Sequence, residues 1–243
     1  MGSIFPENSV GSYESLTQIA VKDRVASCGT NLGSHLLTKR KFPDMNHGSR
    51  NGWNKVGILV DRDLRESVIE IRRVKDRLAI QLVVGELTLN VISTYTPQGG
   101  LDVKVKRCFW EDLDEVVRGI PPTEKLFIGG DFNGHIGTST GGYSEVHGSF
   151  GFGDRNGGGT TFLDFAKAFE SVIVNSYFSK RGKHLITFLS AVAKTHIDYL
   201  FLRRGDKGLC KVCKFILSKS LESQHRLLVM DVAIMMKRKK QDV

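Results

Sequence analysis

Four cysteines in 243 residues, at Cys28, Cys108, Cys210 and Cys213, are too few and too scattered for a disulfide framework. That excludes the small stapled secreted folds and leads to the expectation of an intracellular protein. No run approaches the roughly 18 consecutive apolar residues of a membrane span, and MGSIFPENSV lacks a basic region followed by an apolar one. Neither membrane nor secretory routing is expected. Cys210 and Cys213 form a solitary C-x-x-C without the second pair that a closed zinc site needs, so both read as strand residues. Acidic charge is scarce as well: 26 Asp and Glu stand against 35 Lys and Arg, for a net +9. Residues 203–240 hold 11 basic and 3 acidic side chains, a net +8, which favours a polyanionic partner such as nucleic acid. Lys237, Arg238, Lys239 and Lys240 form a basic tail over residues 237–243 and a candidate nuclear signal.

Length and composition fit one large α/β domain. Residues 1–54, rich in Ser, Gly, Asn and Lys, read as a poorly structured segment in which SLTQIAVKDRVA suggests a short helix. The expected domain covers 55–236. VGILV, SVIEIRRV and RLAIQLVVGELTLNVISTY read as strands, the last as two joined at Gly85-Glu86. VKVKRCFWEDLDEVVRG carries Phe109, Leu113, Val116 and Val117 at helical spacing and stops at Pro121-Pro122. LFIGG is a strand, and Thr160 or Thr161 is a candidate cap for a helix with Phe162, Phe165, Ala166 and Phe169 on one stripe. SVIVNSYF, HLITFLS, THIDYLFL, LCKVCKFIL and RLLVMDVAIMM return to strands. This order predicts mixed or mostly antiparallel sheets with helices packed outside.

Polar residues interrupt that pattern at strand edges. Asp131 and Asn133 follow LFIGG two positions apart, a spacing that puts both on one side of an extended chain. Taken alone, the pair also fits a loop of Asx residues bonding their own backbone. Tyr95 ends LNVISTY, Asp198 opens DYLFL, and His225 precedes RLLVMDV. Together they supply what attack by water on a phosphodiester requires: a carboxylate base, an imidazole, a carboxylate to orient it, and donors for phosphate oxygens. His135, His147, His184 and His196 have no comparable context and receive no role.

ISTYTPQ, FIGGDFNGHIG, THIDYLFL and SQHRLLVMDV, in this order, resemble the endonuclease/exonuclease/phosphatase superfamily, and within it the retrotransposon-derived endonuclease domains called craniofacial development protein 2-like. The resemblance runs from about Trp53 to the C-terminus and includes FWEDLDEVV and GFGDRNG. It implies a four-layer α/β sandwich and Mg²⁺- or Mn²⁺-dependent cleavage of phosphodiesters, usually in DNA. By that resemblance Asp131 accepts a proton from water, Asn133 holds the phosphate, His225 contacts the scissile phosphate, Asp198 orients His225, and Tyr95 bonds a phosphate oxygen. Asp131 and Asn133 are also the candidate metal ligands. Members of the family begin with a strand ending in Asn and a second strand followed by a metal-binding Glu, whereas residues 1–54 contain only Glu7 and Glu14, neither after an apolar run. The N-terminal strands are therefore expected to be missing, and Gln224 stands where the broader superfamily has Asp before its final His. Three functions follow as expectations: a metal-dependent DNA endonuclease, in this chain a truncated copy with impaired activity; a nucleic-acid-binding relic; and a phosphatase of small phosphoesters or lipids.

Overall fold

The structure, a computed structural model, describes residues 13–22, 57–60, 62–74, 77–179, 185–216 and 225–236. A six-stranded sheet carries, in spatial order, β3 (Val68–Val74), β4 (Arg77–Val84), β5 (Leu87–Tyr95), β6 (Lys125–Asp131), β10 (Asp198–Arg203) and β7 (Ser171–Ile173). Only β5 and β6 run parallel, joined through helix α1 (Val103–Arg118), as a parallel pair requires a crossover. A four-stranded sheet orders β11 (Cys210–Ile216), β12 (Leu227–Met236), β1 (Tyr13–Lys22) and β2 (Gly57–Val60). Helix α2 (Gly157–Ala168) precedes β7, and β8 (Phe188–Leu189) pairs with β9 (Lys194–Thr195) as a small third sheet.

Strand alternation builds the two cores. Ile80, Leu82, Val84, Leu89, Val91, Phe127, Leu200 and Leu202 leave one face of the large sheet and meet Leu228, Met230, Val232 and Ile234 of β12. Ile92, Leu126, Ile128 and Phe201 leave the other face and meet Phe109, Leu113 and Val117 of α1 and Phe162, Leu163, Phe165 and Ala166 of α2. Each fully buried large side chain contributes about 1.5–3 kcal/mol. The described residues thus form three layers, helices, sheet and sheet, and the expected fourth layer is not among them.

Several local expectations are corrected. Residues 13–22 form β1, not a helix, and fill an interior position between β12 and β2 that the expected loss of N-terminal strands would leave open. Tyr13 pairs with Met236 and Val21 with Leu228, so Glu14 sits at the end of β1 remote from His225. Helix α2 starts earlier than Thr160 because the Asn156 side chain accepts from Gly159 N at 2.8 Å and caps it. Of SVIVNSYF only Ser171–Ile173 is strand; Val174–Ser176 turns in a 3-10 helix. Cys210 and Cys213 both lie on β11, and among the described residues no cluster is spaced to hold zinc. Gln224 and Lys237–Lys240 lie outside the described residues.

Candidate active site

The alternation that sends Leu89 and Val91, Phe127, and Leu200 and Leu202 into the space between the sheets also aims Tyr95, Asp131 and Asp198 there, at the strand ends. Tyr95 and Asp131 are register partners across β5 and β6, and Asp131 and Asp198 across β6 and β10. Three polar side chains therefore form one row across adjacent strands. His225 comes to this row from the other sheet, immediately before β12.

Gly130 makes the close strand contact possible: a Cβ there would lie 1.8 Å from the Thr94 carbonyl oxygen, and its φ is +154°. Beyond Asp131, Phe132 turns the opposite way into the helix core and stacks on Phe162 with ring centroids 4.2 Å apart. That anchor explains the spacing D-F-N. Asn133 adopts φ +46°, a left-handed conformation that asparagine tolerates. Its backbone N donates to Asp131 Oδ1 at 2.7 Å and its Nδ2 to the Thr96 carbonyl at 2.6 Å. The simple Asx-turn reading is thus correct for one oxygen of Asp131. The other, Oδ2, lies 4.0 Å from His225 Nε2.

His225 Nδ1 lies 3.2 Å and 3.3 Å from the two oxygens of Asp198. A carboxylate only accepts, so Nδ1 is the protonated nitrogen and Nε2 faces Asp131. Asp131, Asp198 and His225 are buried, at 2%, 6% and 7% exposure, so water screens their mutual interactions little. Tyr95 shares the row but is half-buried, and its Oη accepts from Gln98 Nε2 at 3.2 Å. All five predicted residues therefore lie at one rim, four of them bonded directly to others of the set or to its backbone.

The sequence reading missed the supports. Thr187, in the apolar run LITFL, is fully buried, and its Oγ1 accepts from Ile197 N and Asp198 N at 3.0 Å each. Asn175 donates to the Asp198 carbonyl at 3.1 Å, accepts from Leu200 N at 3.1 Å, and places Nδ2 2.9 Å from His196 Nε2. His196, given no role from sequence, is thus part of the buried scaffold of β10. Tyr199 reaches the His196 carbonyl at 2.6 Å and the Gly134 carbonyl at 3.1 Å, and burial holds its phenol well above the usual range, so it stays a donor. A polar residue inside an apolar run was the available signal for Thr187 and Asn175.

Two basic residues of the 203–240 segment have other commitments. Arg203 donates to the carbonyls of Pro121, Glu124 and Ile120, and Lys207 lies over the Tyr177 ring at 3.4 Å. Arg203 ends β10, roughly 17 Å from Asp198 at the usual strand rise, and Lys207 lies beyond it. As for a metal, hard divalent cations take about six oxygen ligands. Asp131 and the amide oxygen of Asn133 supply two kinds of donor, and no group of three or more His, Cys, Asp or Glu is so placed among the described residues. These residues do not make a metal site on their own.

The sandwich is matched in known proteins. The endonuclease domain of TRAS1, a telomere-specific non-LTR retrotransposon, superposes with a TM-score of 0.54 at 14% identity over 76% of this chain and 75% of that one. The 3′ phosphatase NExo from Neisseria, bound to product DNA hairpin, gives 0.54 at 15% identity over 74% and 75%. Craniofacial development protein 2 of Bos taurus is 27% identical over 179 residues, and that of Tragulus javanicus 26%. The chain has the endonuclease/exonuclease/phosphatase fold and is similar in sequence to craniofacial development protein 2. No family model matches it. The two solved structures establish likeness of fold alone. The curated relatives match over 72% of this chain but only 30% and 31% of their own length.

Proposed function

We propose that this chain is an endonuclease-type phosphodiesterase domain that acts on DNA. The observation that carries the reading is the Asp198–His225 pair facing Asp131 across the ends of two sheets. In this mechanism Asp131 takes the proton of an attacking water as the new O–P bond forms and the bond to the leaving oxygen breaks. Asp198 accepts from Nδ1–H of His225, and in the protonated ring Nε2–H donates to a phosphate oxygen. Tyr95 and the second amide hydrogen of Asn133 donate to phosphate oxygens, stabilising charge that grows in the transition state. Cleavage is expected to require Mg²⁺ or Mn²⁺, with Asp131 and Asn133 as the candidate ligands.

The test is nicking of supercoiled plasmid, with and without EDTA. Asp131→Asn and His225→Ala are each expected to lower nicking by about two to four orders of magnitude. Equal nicking by both variants and the unaltered chain would refute the assignment. A 3′-phosphorylated oligonucleotide in parallel separates phosphatase action from strand cleavage.

One observation favours a second reading, a nucleic-acid-binding domain without catalysis. Asp131 is only 2% exposed, so a phosphodiester reaches it only if neighbouring groups move. On that reading DNA binds the unaltered chain and no strand is cut, and the impairment expected from sequence is complete.

A further inference from the structure

The rim is assembled from two sheets, and two sheets packed face to face are held mainly by non-directional apolar contact. Asp198 leaves the six-stranded sheet, and His225 precedes β12 of the four-stranded sheet. A directional link is therefore needed to hold a carboxylate and an imidazole in bonding register. The segment Ile186–Phe188 provides one. Thr187 Oγ1 accepts from Ile197 N and Asp198 N at 3.0 Å, while the Thr187 carbonyl accepts from Arg226 N at 2.8 Å. Arg226 Nη1 donates to the Ile186 carbonyl at 2.8 Å, Phe188 forms a β-bridge with His225, and their rings lie 4.8 Å apart. Thr187 N itself donates to the Thr195 carbonyl at 2.9 Å, which ties the segment to β9.

We infer that Thr187 is the positioning residue of the site, locking Asp198 and His225 into one geometry through its side chain on one strand and its main chain on the other. The inference rests on the phosphodiesterase reading above for its consequence in catalysis, and on geometry alone for its consequence in the His225 tautomer. Threonine suits the task because its hydroxyl oxygen has two lone pairs, and here two backbone N–H groups point at that one atom. Valine has the same shape and neither lone pair. Serine keeps the oxygen, and cysteine offers a weaker acceptor.

The experiment compares Thr187→Ser, Thr187→Cys and Thr187→Val in the full chain. The first readout is ¹⁵N NMR of the neutral His225 ring, which distinguishes Nδ1–H from Nε2–H. The unaltered chain and Thr187→Ser are expected to show the Nδ1–H form, Thr187→Val a mixture, and Thr187→Cys an intermediate. The second readout is plasmid nicking, where a displaced catalytic group costs up to about 100-fold. Thr187→Val is expected to lower kcat by at least 10-fold with KM within 2-fold, in the order Ser, Cys, Val, because the loss falls on alignment and not on substrate contact. A chain that never nicks removes the phosphodiesterase reading but leaves the tautomer comparison decisive. If Thr187→Val does not fold, the Ser-to-Cys step decides. A flat series, with folded variants sharing one tautomer and one kcat, overturns the assignment.

Discussion

Replacing Gly130 by alanine tests whether the spacing of β5 and β6 builds the row of site residues. The added Cβ would lie 1.8 Å from the Thr94 carbonyl oxygen, 2.9 Å from its carbon and 3.1 Å from its nitrogen. All three are backbone atoms, so no rotamer relieves the contact. The strands must part by about 1.2 Å before the shortest contact reaches even 3.0 Å. That movement strains the bond from Thr96 N to the Asp131 carbonyl, 2.8 Å long, and the neighbouring ladder bond. Two weakened bonds at about 1 kcal/mol each, with overpacking of about 1–3 kcal/mol, give a loss of about 3–5 kcal/mol. For a chain this size that is a fall in Tm of roughly 6–20 °C. Differential scanning calorimetry reads it, with Gly100→Ala as control because nothing lies within 4 Å of a Cβ there. Tyr95 would also move away from Asp131, so nicking should fall further than stability alone dictates. A Gly130→Ala chain that melts within 2 °C of the control would refute the close-approach argument.

Burial holds the imidazole of His147 below its ordinary pKa, with Nδ1 accepting from Ser149 N and Nε2 facing the Gly137 carbonyl. The unfolded chain therefore takes up a proton that the folded one resists, so stability is full above about pH 6.5 and declines as pH falls below it; His147→Asn should show a smaller drop in Tm between pH 7.5 and 5.5. Arg155 donates to the carbonyls of Ile136, Ser139, Thr140 and Gly141 and lies over the Tyr143 ring at 4.9 Å. Lysine cannot reproduce that fork, so Arg155→Lys should destabilise by about 1–3 kcal/mol and raise amide exchange across 137–141. Nucleic-acid affinity should fall steeply with added salt, and charge reversal at Lys237, Arg238, Lys239 and Lys240 should weaken all DNA sequences alike, as measured by fluorescence anisotropy. Affinity indifferent to salt would remove the electrostatic basis of DNA binding.

Strand exits were legible because alternation is local: Tyr95, Asp131 and Asp198 each share a face with residues that had to be buried, so their common side follows from a period of two. The glycines before Asp131 were visible, but their reason was not, since only the pairing of β5 with β6 brings the Thr94 carbonyl to 1.8 Å from the missing Cβ. In β1, Leu16, Ile19 and Ala20 fall at helical spacing, and pairing on both sides with β12 and β2 overrode that local preference. Thr187 and Asn175 carry no motif. Their meaning lies in which backbone donors and acceptors face them, atoms of Ile197, Asp198, Leu200 and Arg226 that are distant in the chain from at least one support. The sequence by itself determined which polar groups stand at the ends of apolar strands. Only the packing of two sheets decided that His225 bonds Asp198, because that contact joins residues 27 apart, one on β10 and one just before β12 of the other sheet, and no local pattern specifies how two sheets align.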